Sequence, residues 1–292
     1  VGPGASALYV SSGVPHPGGG PPRGPPASGS DESVIMAEAP ILECRGVSKA
    51  FGAVQALYNV DFEVRPGEVM ALVGDNGAGK SSLIKGIAGI YPFDRGQVRY
   101  EGHDVAIHGP AQAAGLGIEI VYQDLALADN LDVVANMFLG RERKTGIILD
   151  EAHMEEDAQA TLDSLSVTTL QSVRQVVAGL SGGQRQAVAV AKAVMWESKV
   201  VILDEPTAAL GVAQTRQVLD LTRRLADRGL GVVIISHNLH DIFEVSDRIS
   251  VLRLGQMVDL FTTAETDQQE VVHAITAGEL QHVPGMADAV EA

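Results

Sequence analysis

Val69-Met70-Ala71-Leu72-Val73-Gly74-Asp75-Asn76-Gly77-Ala78-Gly79-Lys80-Ser81-Ser82 is the stretch that decides the fold. Five apolar residues run directly into a glycine-rich turn and a Lys-Ser pair. Residues 74–81 fit G-x-x-x-x-G-K-[ST], with a β-like run before them and a helix expected over 79–90 after them, the context that this motif requires. Each residue type answers a chemical need. Gly74, Gly77 and Gly79 let successive backbone N–H groups turn inward around phosphate oxygens, with Asp75, Asn76 and Ala78 completing the loop. The helix start adds partial positive charge. Lys80 supplies a point charge to the β- and γ-phosphates, Ser81 a hydroxyl for Mg²⁺, and Ser82 continues the first helical turn. The pattern predicts a nucleoside triphosphate site.

A second element completes it. Val200-Val201-Ile202-Leu203 is wholly apolar and ends in Asp204-Glu205. A buried parallel strand delivers its last residues to the ligand edge of its sheet. There Asp204 can join the Mg²⁺ shell, and Glu205 can orient or deprotonate an attacking water. Further runs at 41–47, 60–64, 96–100, 105–107, 118–122 and 231–235 read as strands, and 250–254 with 256–260 as a hairpin turning at Gly255. Helical periodicity marks 133–139, 151–165, 181–195 and 214–228. Strands alternating with helices imply an α/β core with a mainly parallel sheet, and residues 127–175 read as an inserted helical subdomain.

Composition bounds the rest. The chain has 292 residues and a formal charge of −16, from 21 Lys+Arg against 37 Asp+Glu. That balance opposes general nucleic-acid binding, which needs clustered cations to neutralise phosphate. The lone Cys44 excludes an internal disulfide and a cysteine-rich zinc site. No apolar stretch approaches the ~20 residues that span a bilayer. Residues 1–30 hold eight glycines and seven prolines, so 1–38 is expected to be a disordered tail that need not be native; regular patterning begins near Met36. The folded domain is expected over 39–265, with a tail over 266–292 that leaves no room for a regulatory domain.

At Leu180-Ser181-Gly182-Gly183-Gln184 the reading sharpens. This LSGGQ, about a hundred residues after the phosphate loop and just before the Asp-Glu strand, resembles the signature of ABC-type ATPases. The resemblance covers residues 41–265. It implies the P-loop NTPase fold of that family: a RecA-like, mainly parallel core, an antiparallel β-subdomain and an inserted α-helical subdomain. It implies that Phe51 stacks on adenine, that Gln123 senses Mg²⁺ and γ-phosphate, and that His237 contacts γ-phosphate. Ser181, Gly182, Gly183 and Gln184 would bind the nucleotide of a second copy, so two complete sites need a homodimer. The catalytic set is then Glu205, His237, Gln123 and Lys80, the metal set Ser81, Gln123 and Asp204, and the cofactors ATP and Mg²⁺.

Within that family, residues 111–142 and Thr207-Ala208-Ala209-Leu210-Gly211-Val212 resemble the ATP-binding subunits of bacterial monosaccharide importers. The implied partners are integral-membrane permease subunits and, through them, a sugar-binding protein, with no nucleic acid. The implied location is cytoplasmic, on the inner face of the cell membrane. One position departs from the family pattern: Gly211 stands where an aspartate is usual, which removes a charge from the expected dimer interface. A soluble ABC-type ATPase unconnected with transport, and a weakly hydrolysing regulatory binder, are the alternative readings.

Overall fold

The computed structural model describes residue 1 and residues 39–278; residues 2–38 of the tail expected over 1–38, and the part of the 266–292 tail beyond 278, lie outside the described residues. In chain order come β1 (Leu42–Phe51), β2 (Val54–Val64), β3 (Val69–Val73), α1 (Lys80–Ile87), β4 (Arg95–Tyr100), β5 (His103–Val105), α2 (Pro110–Gly115) and β6 (Ile118–Val121). There follow α3 (Val133–Phe138), β7 (Lys144–Thr145), β8 (Ile148–Leu149), α4 (Glu151–Ser164), α5 (Gly182–Val194), β9 (Val200–Asp204) and α6 (Val212–Asp227). Last come β10 (Gly231–Ile235), α7 (Leu239–Val245), β11 (Arg248–Arg253), β12 (Gln256–Thr262) and α8 (Gln268–Ala277).

The main sheet has the order β12-β11-β3-β10-β9-β6, parallel throughout except for the β11–β12 hairpin. A second, antiparallel sheet has the order β2-β1-β4-β5. Side chains alternate across a strand, so each main-sheet strand feeds two cores. Met70, Leu72, Ile202, Val233 and Ile235 pack with the antiparallel sheet and with Leu83, Ile84 and Ile87 of α1. Val69, Ala71, Val73, Val201, Leu203, Val232 and Ile234 pack against the helices on the other face. Strands covered on both faces must be apolar along their length, which is why β3 and β10 show no polar residue.

Residues 127–175 carry α3, the β7–β8 hairpin and α4. Their buried side chains, among them Val134, Met137, Phe138, Ala158 and Leu162, join the core cluster of α5 rather than forming one of their own. Asn136 organises this region from inside. It is fully buried; its Oδ1 accepts from the Ala128 N–H at 2.7 Å, and its Nδ2 donates to the carbonyls of Ala128 at 3.0 Å and Asp132 at 2.9 Å.

Several sequence expectations shift. The helix over 79–90 stops at Ile87, because Gly89 takes a left-handed conformation (φ 71°) just past the C-cap. The strand expected at 105–107 lies at His103–Val105, set by pairing with β4. The tail expected from 266 is helical over Gln268–Ala277, where Asp267 caps the helix start and Val271 and Ala274 are buried. Helices α2 and α7 and the β7–β8 hairpin had no expectation, being too short for a periodic signal.

Replacing Asn136 by Leu leaves the Ala128 N–H and carbonyl without their partner, at about 2 kcal/mol. For a protein of this size that lowers the melting temperature by roughly 4–8 °C. Differential scanning calorimetry checks it, and a shift too small to measure contradicts the assigned role.

Candidate nucleotide site

The phosphate loop leaves β3, which lies between β11 and β10. Packing as well as conformation restricts its glycines. At Gly74 (φ 149°) a Cβ would lie 2.0 Å from the Leu252 carbonyl oxygen; at Gly79 (φ 107°) it would lie 2.7 Å from that of Ala56. The loop is thus pressed onto β11 and onto β2, and backbone leaves no room for any other residue. Lys80, the first residue of α1, folds back so that its Nζ donates to the carbonyls of Gly74 and Asp75. Ser81 and Ser82 follow in the first turn.

At the end of β9, Asp204 is half-buried. Burial and then the charge of Glu205 push its carboxyl pKa up, with Lys80 and Lys85 opposing. Lys80 itself is pushed down by burial, against the pull of Glu205, Asp75 and Asp204. Both ions stand in a place that disfavours charge, which is the state expected of a site built for ligands of the opposite sign. Glu205 adopts a left-handed backbone (φ 51°) that is rare outside glycine. Its N–H donates to the Ile235 carbonyl at 2.9 Å, and its Oε2 lies 2.8 Å from Nδ1 of His237, two residues beyond β10. Adjacent strands β9 and β10, in register Ile235↔Asp204, thereby bring Glu205 and His237 together.

One further residue fixes this pair and a second stands near Asp204; neither is read from the sequence as a site residue. Asp241 is buried; its carboxylate accepts from Thr207 Oγ1 at 2.7 Å and from Asn238 Nδ2 at 2.8 Å. It thus ties the turn after Glu205 to the turn after His237. Tyr122, whose pKa is raised first by burial and then by Asp204, is the other neighbour of this edge. A lone Asp in a short helix, or a Tyr beside Gln123, carries no sequence signal of its own.

The remaining expected residues make no hydrogen bond to Lys80, Asp204, Glu205 or His237 among the described residues. Gln123 is exposed two residues past β6, beside β9 in the sheet, and its side chain makes no hydrogen bond among the described residues. Ser181 is the N-cap of α5 in a reciprocal capping box: Gln184 N–H donates to Ser181 Oγ, and Gln184 Oε1 accepts from Ser181 N–H. Gln184 Nε2 also donates to the Thr169 carbonyl at 2.6 Å, so the glutamine holds the loop that precedes the helix. Among the described residues no hydrogen bond joins residues 181–184 to residues 74–82. Phe51, at the end of β1, is 45% exposed. Gly211 caps α6 with an ordinary φ of −77°, so the backbone does not demand glycine there; a Cβ would meet only the flexible tip of Gln214.

Comparison with known proteins agrees with this arrangement. The family model described as ABC transporter matches residues 57–208. The chain belongs to the ABC transporter family. It is an ABC-type ATPase with the α/β fold of that family's cassettes. The fructose import ATP-binding protein FrcA of Rhizobium meliloti is 49% identical over 82% of this chain and 95% of its own length. The xylose/arabinose import ATP-binding protein XylG of Sulfolobus acidocaldarius is 48% identical, over 81% and 94%. The ribose import ATP-binding protein RbsA of Yersinia pestis is 40% identical over 81% of this chain but 46% of its own length. Among solved structures, the ADP conformation of MJ1267, an ATP-binding cassette of an ABC transporter, superposes with a TM-score of 0.70 at 27% identity, over 81% of this chain and 95% of that one.

Because the fold raises the Asp204 pKa, its ionised form lowers stability at any pH above that raised value. The effect grows as pH rises from the ordinary carboxylate range and vanishes below it. Asp204→Asn is therefore expected to raise the melting temperature of the nucleotide-free cassette at pH 8 and to change it little at pH 3.5. A lowered melting temperature at pH 8 contradicts the electrostatic reading.

Proposed function

We propose that this cassette hydrolyses Mg²⁺-ATP as the energy-coupling subunit of an importer for a monosaccharide. The observation that carries the chemistry is the gathering of Lys80, Asp204, Glu205 and His237 at one end of three neighbouring strands. Sugar import is supported by the two import ATP-binding proteins, FrcA and XylG, which align with this chain over nearly their full length.

ATP would lie with its phosphates in the loop 74–79, its β- and γ-oxygens beside Lys80, and its adenine on the exposed Phe51. A divalent cation fits the oxygen donors Ser81, Asp204 and Gln123: the half-buried Asp204 carboxylate accepts no hydrogen bond among the described residues, which suits a cation ligand. Bound there, Mg²⁺ would neutralise charge on the phosphates. Glu205 would take a proton from the attacking water, and His237, 2.8 Å from the Glu205 carboxylate, would contact the γ-phosphate.

Residues 181–184 begin a helix whose N–H groups can bind phosphate, yet they do not belong to the cluster around Lys80. A second copy of the chain would bring its Ser181 and Gly183 onto the γ-phosphate, and hydrolysis would release them. That cycle makes ATP a switch between closed and open dimers. Residues 127–175, as a helical subdomain, would pass the motion to a permease, with Gln123 at the junction. No described helix is long and apolar enough to cross a membrane. Attachment to the inner membrane face would therefore come through the permease, with a sugar-binding protein as the more distant partner.

Lys80→Ala removes the charge partner of the phosphates and is expected to weaken ATP binding roughly 10- to 100-fold by calorimetry. Unchanged affinity would contradict the phosphate-loop assignment. Glu205→Gln is expected to keep that affinity, reduce kcat by about 10²–10⁴ and accumulate a dimer under Mg²⁺-ATP. Turnover at the wild-type rate would remove Glu205 from the reaction.

A further inference from the structure

Phe51 does not stand alone. Its ring meets Tyr91 edge to face, with centroids 5.0 Å apart and planes at 82°. The Tyr91 hydroxyl donates to the Ser82 carbonyl at 2.9 Å, in the first turn of α1, directly after Lys80 and Ser81. Lys49 Nζ sits 5.6 Å from the Phe51 centroid and 5.3 Å from that of Tyr91. That ammonium is itself fixed, donating to Asp94 Oδ1 and to the Pro92 carbonyl, both at 2.8 Å. Asp94 also accepts from the Ala50 N–H at 2.7 Å, and these bonds, that of Lys49 first, hold its carboxyl below the usual range. So β1, the segment after α1 and the phosphate-binding helix are joined through one tyrosine.

An exposed ring on a strand end would ordinarily sample several rotamers. Here its edge is pinned by a second ring whose far end is bonded to the helix that carries the phosphate ligands. Tyr91 therefore adds a side-chain tie between base platform and phosphate loop to the backbone one through β2, which pairs with β1 at Phe51↔Val54 and meets the loop at Ala56. We propose that Tyr91 is a positioning residue for the nucleotide base: it holds Phe51 at a fixed separation from Lys80 and Ser81, so that a purine triphosphate, and not a bare triphosphate, gains from the platform. This inference rests on the nucleotide-site reading above and adds a residue to it.

The test compares ATP with inorganic tripolyphosphate, each titrated calorimetrically with Mg²⁺ into the full chain and into Tyr91→Ala, Tyr91→Phe, Phe51→Ala and the double variant. An edge-to-face pair contributes enough that Tyr91→Ala is expected to weaken ATP roughly 3- to 10-fold, with tripolyphosphate affinity unchanged. Tyr91→Phe, keeping the ring without the anchor on Ser82, is expected to fall between. Because Tyr91 acts through Phe51, the double variant is expected to match Phe51→Ala alone. Equal losses for ATP and tripolyphosphate would make Tyr91 merely a support of α1 and overturn the proposal, as would additive losses in the double variant. Should Tyr91→Ala fail to fold, Tyr91→Leu and Tyr91→Phe carry the same comparison. If the full chain binds neither ligand, the nucleotide site itself fails; if it binds both and Tyr91→Ala changes neither, only this proposal does.

Discussion

A parallel strand covered on both faces has one place to keep its polar chemistry, and that is its end. β3, β9 and β10 are buried through their apolar lengths, so the first polar groups after each emerge together: the glycine loop and Lys80, then Asp204 and Glu205, then Ser236 and His237. The register between strands converts this into distance. Ile235 opposite Asp204 puts His237 within hydrogen-bond reach of Glu205, with no contact between the two residues needed in sequence. A one-residue slip would exchange the side chains between the two cores and part the pair at the same time.

The same constraint leaves the site electrostatically unfinished. Lys80 is held where burial disfavours its ammonium, and Asp204 where burial disfavours its carboxylate. Lys80 meanwhile donates to two of its own loop carbonyls, Gly74 and Asp75. Stability is given up at this edge in exchange for a charge pattern that suits Mg²⁺ and a polyphosphate. Asp241, bonded to Thr207 and Asn238, ties the turns that carry Glu205 and His237 to one another.

Much of this was legible because the signals are local. The loop 74–81, the capping residues of LSGGQ and the apolar strands each lie within a few consecutive residues, and the helix expected at 181–195 appears as Gly182–Val194. What escaped was non-local. The sequence explains the glycine at 74 by its turn, whereas the structure adds the Leu252 carbonyl, which only the fold brings near. Tyr91 reads as an ordinary aromatic until β1 folds beside it, and Asp241 as a helix residue until the two turns it joins are adjacent. Short elements such as the β7–β8 hairpin take their form from closure by Asp150 N–H on the Arg143 carbonyl, not from periodicity. The helix over Gln268–Ala277 was lost because the strands before it already completed the pattern.

In the proposed cycle one chain supplies the loop, cation and base residues, and a second chain supplies Ser181 and Gly183. A structure of the full chain with a non-hydrolysable ATP analogue and Mg²⁺ tests this directly. A symmetric dimer is expected, with each triphosphate in the loop 74–79 of one copy, its γ-phosphate beside Lys80 and His237 and against the other copy's α5 start. A nucleotide bound in a monomer, or a dimer with its 181–184 segments turned away from phosphate, would contradict it.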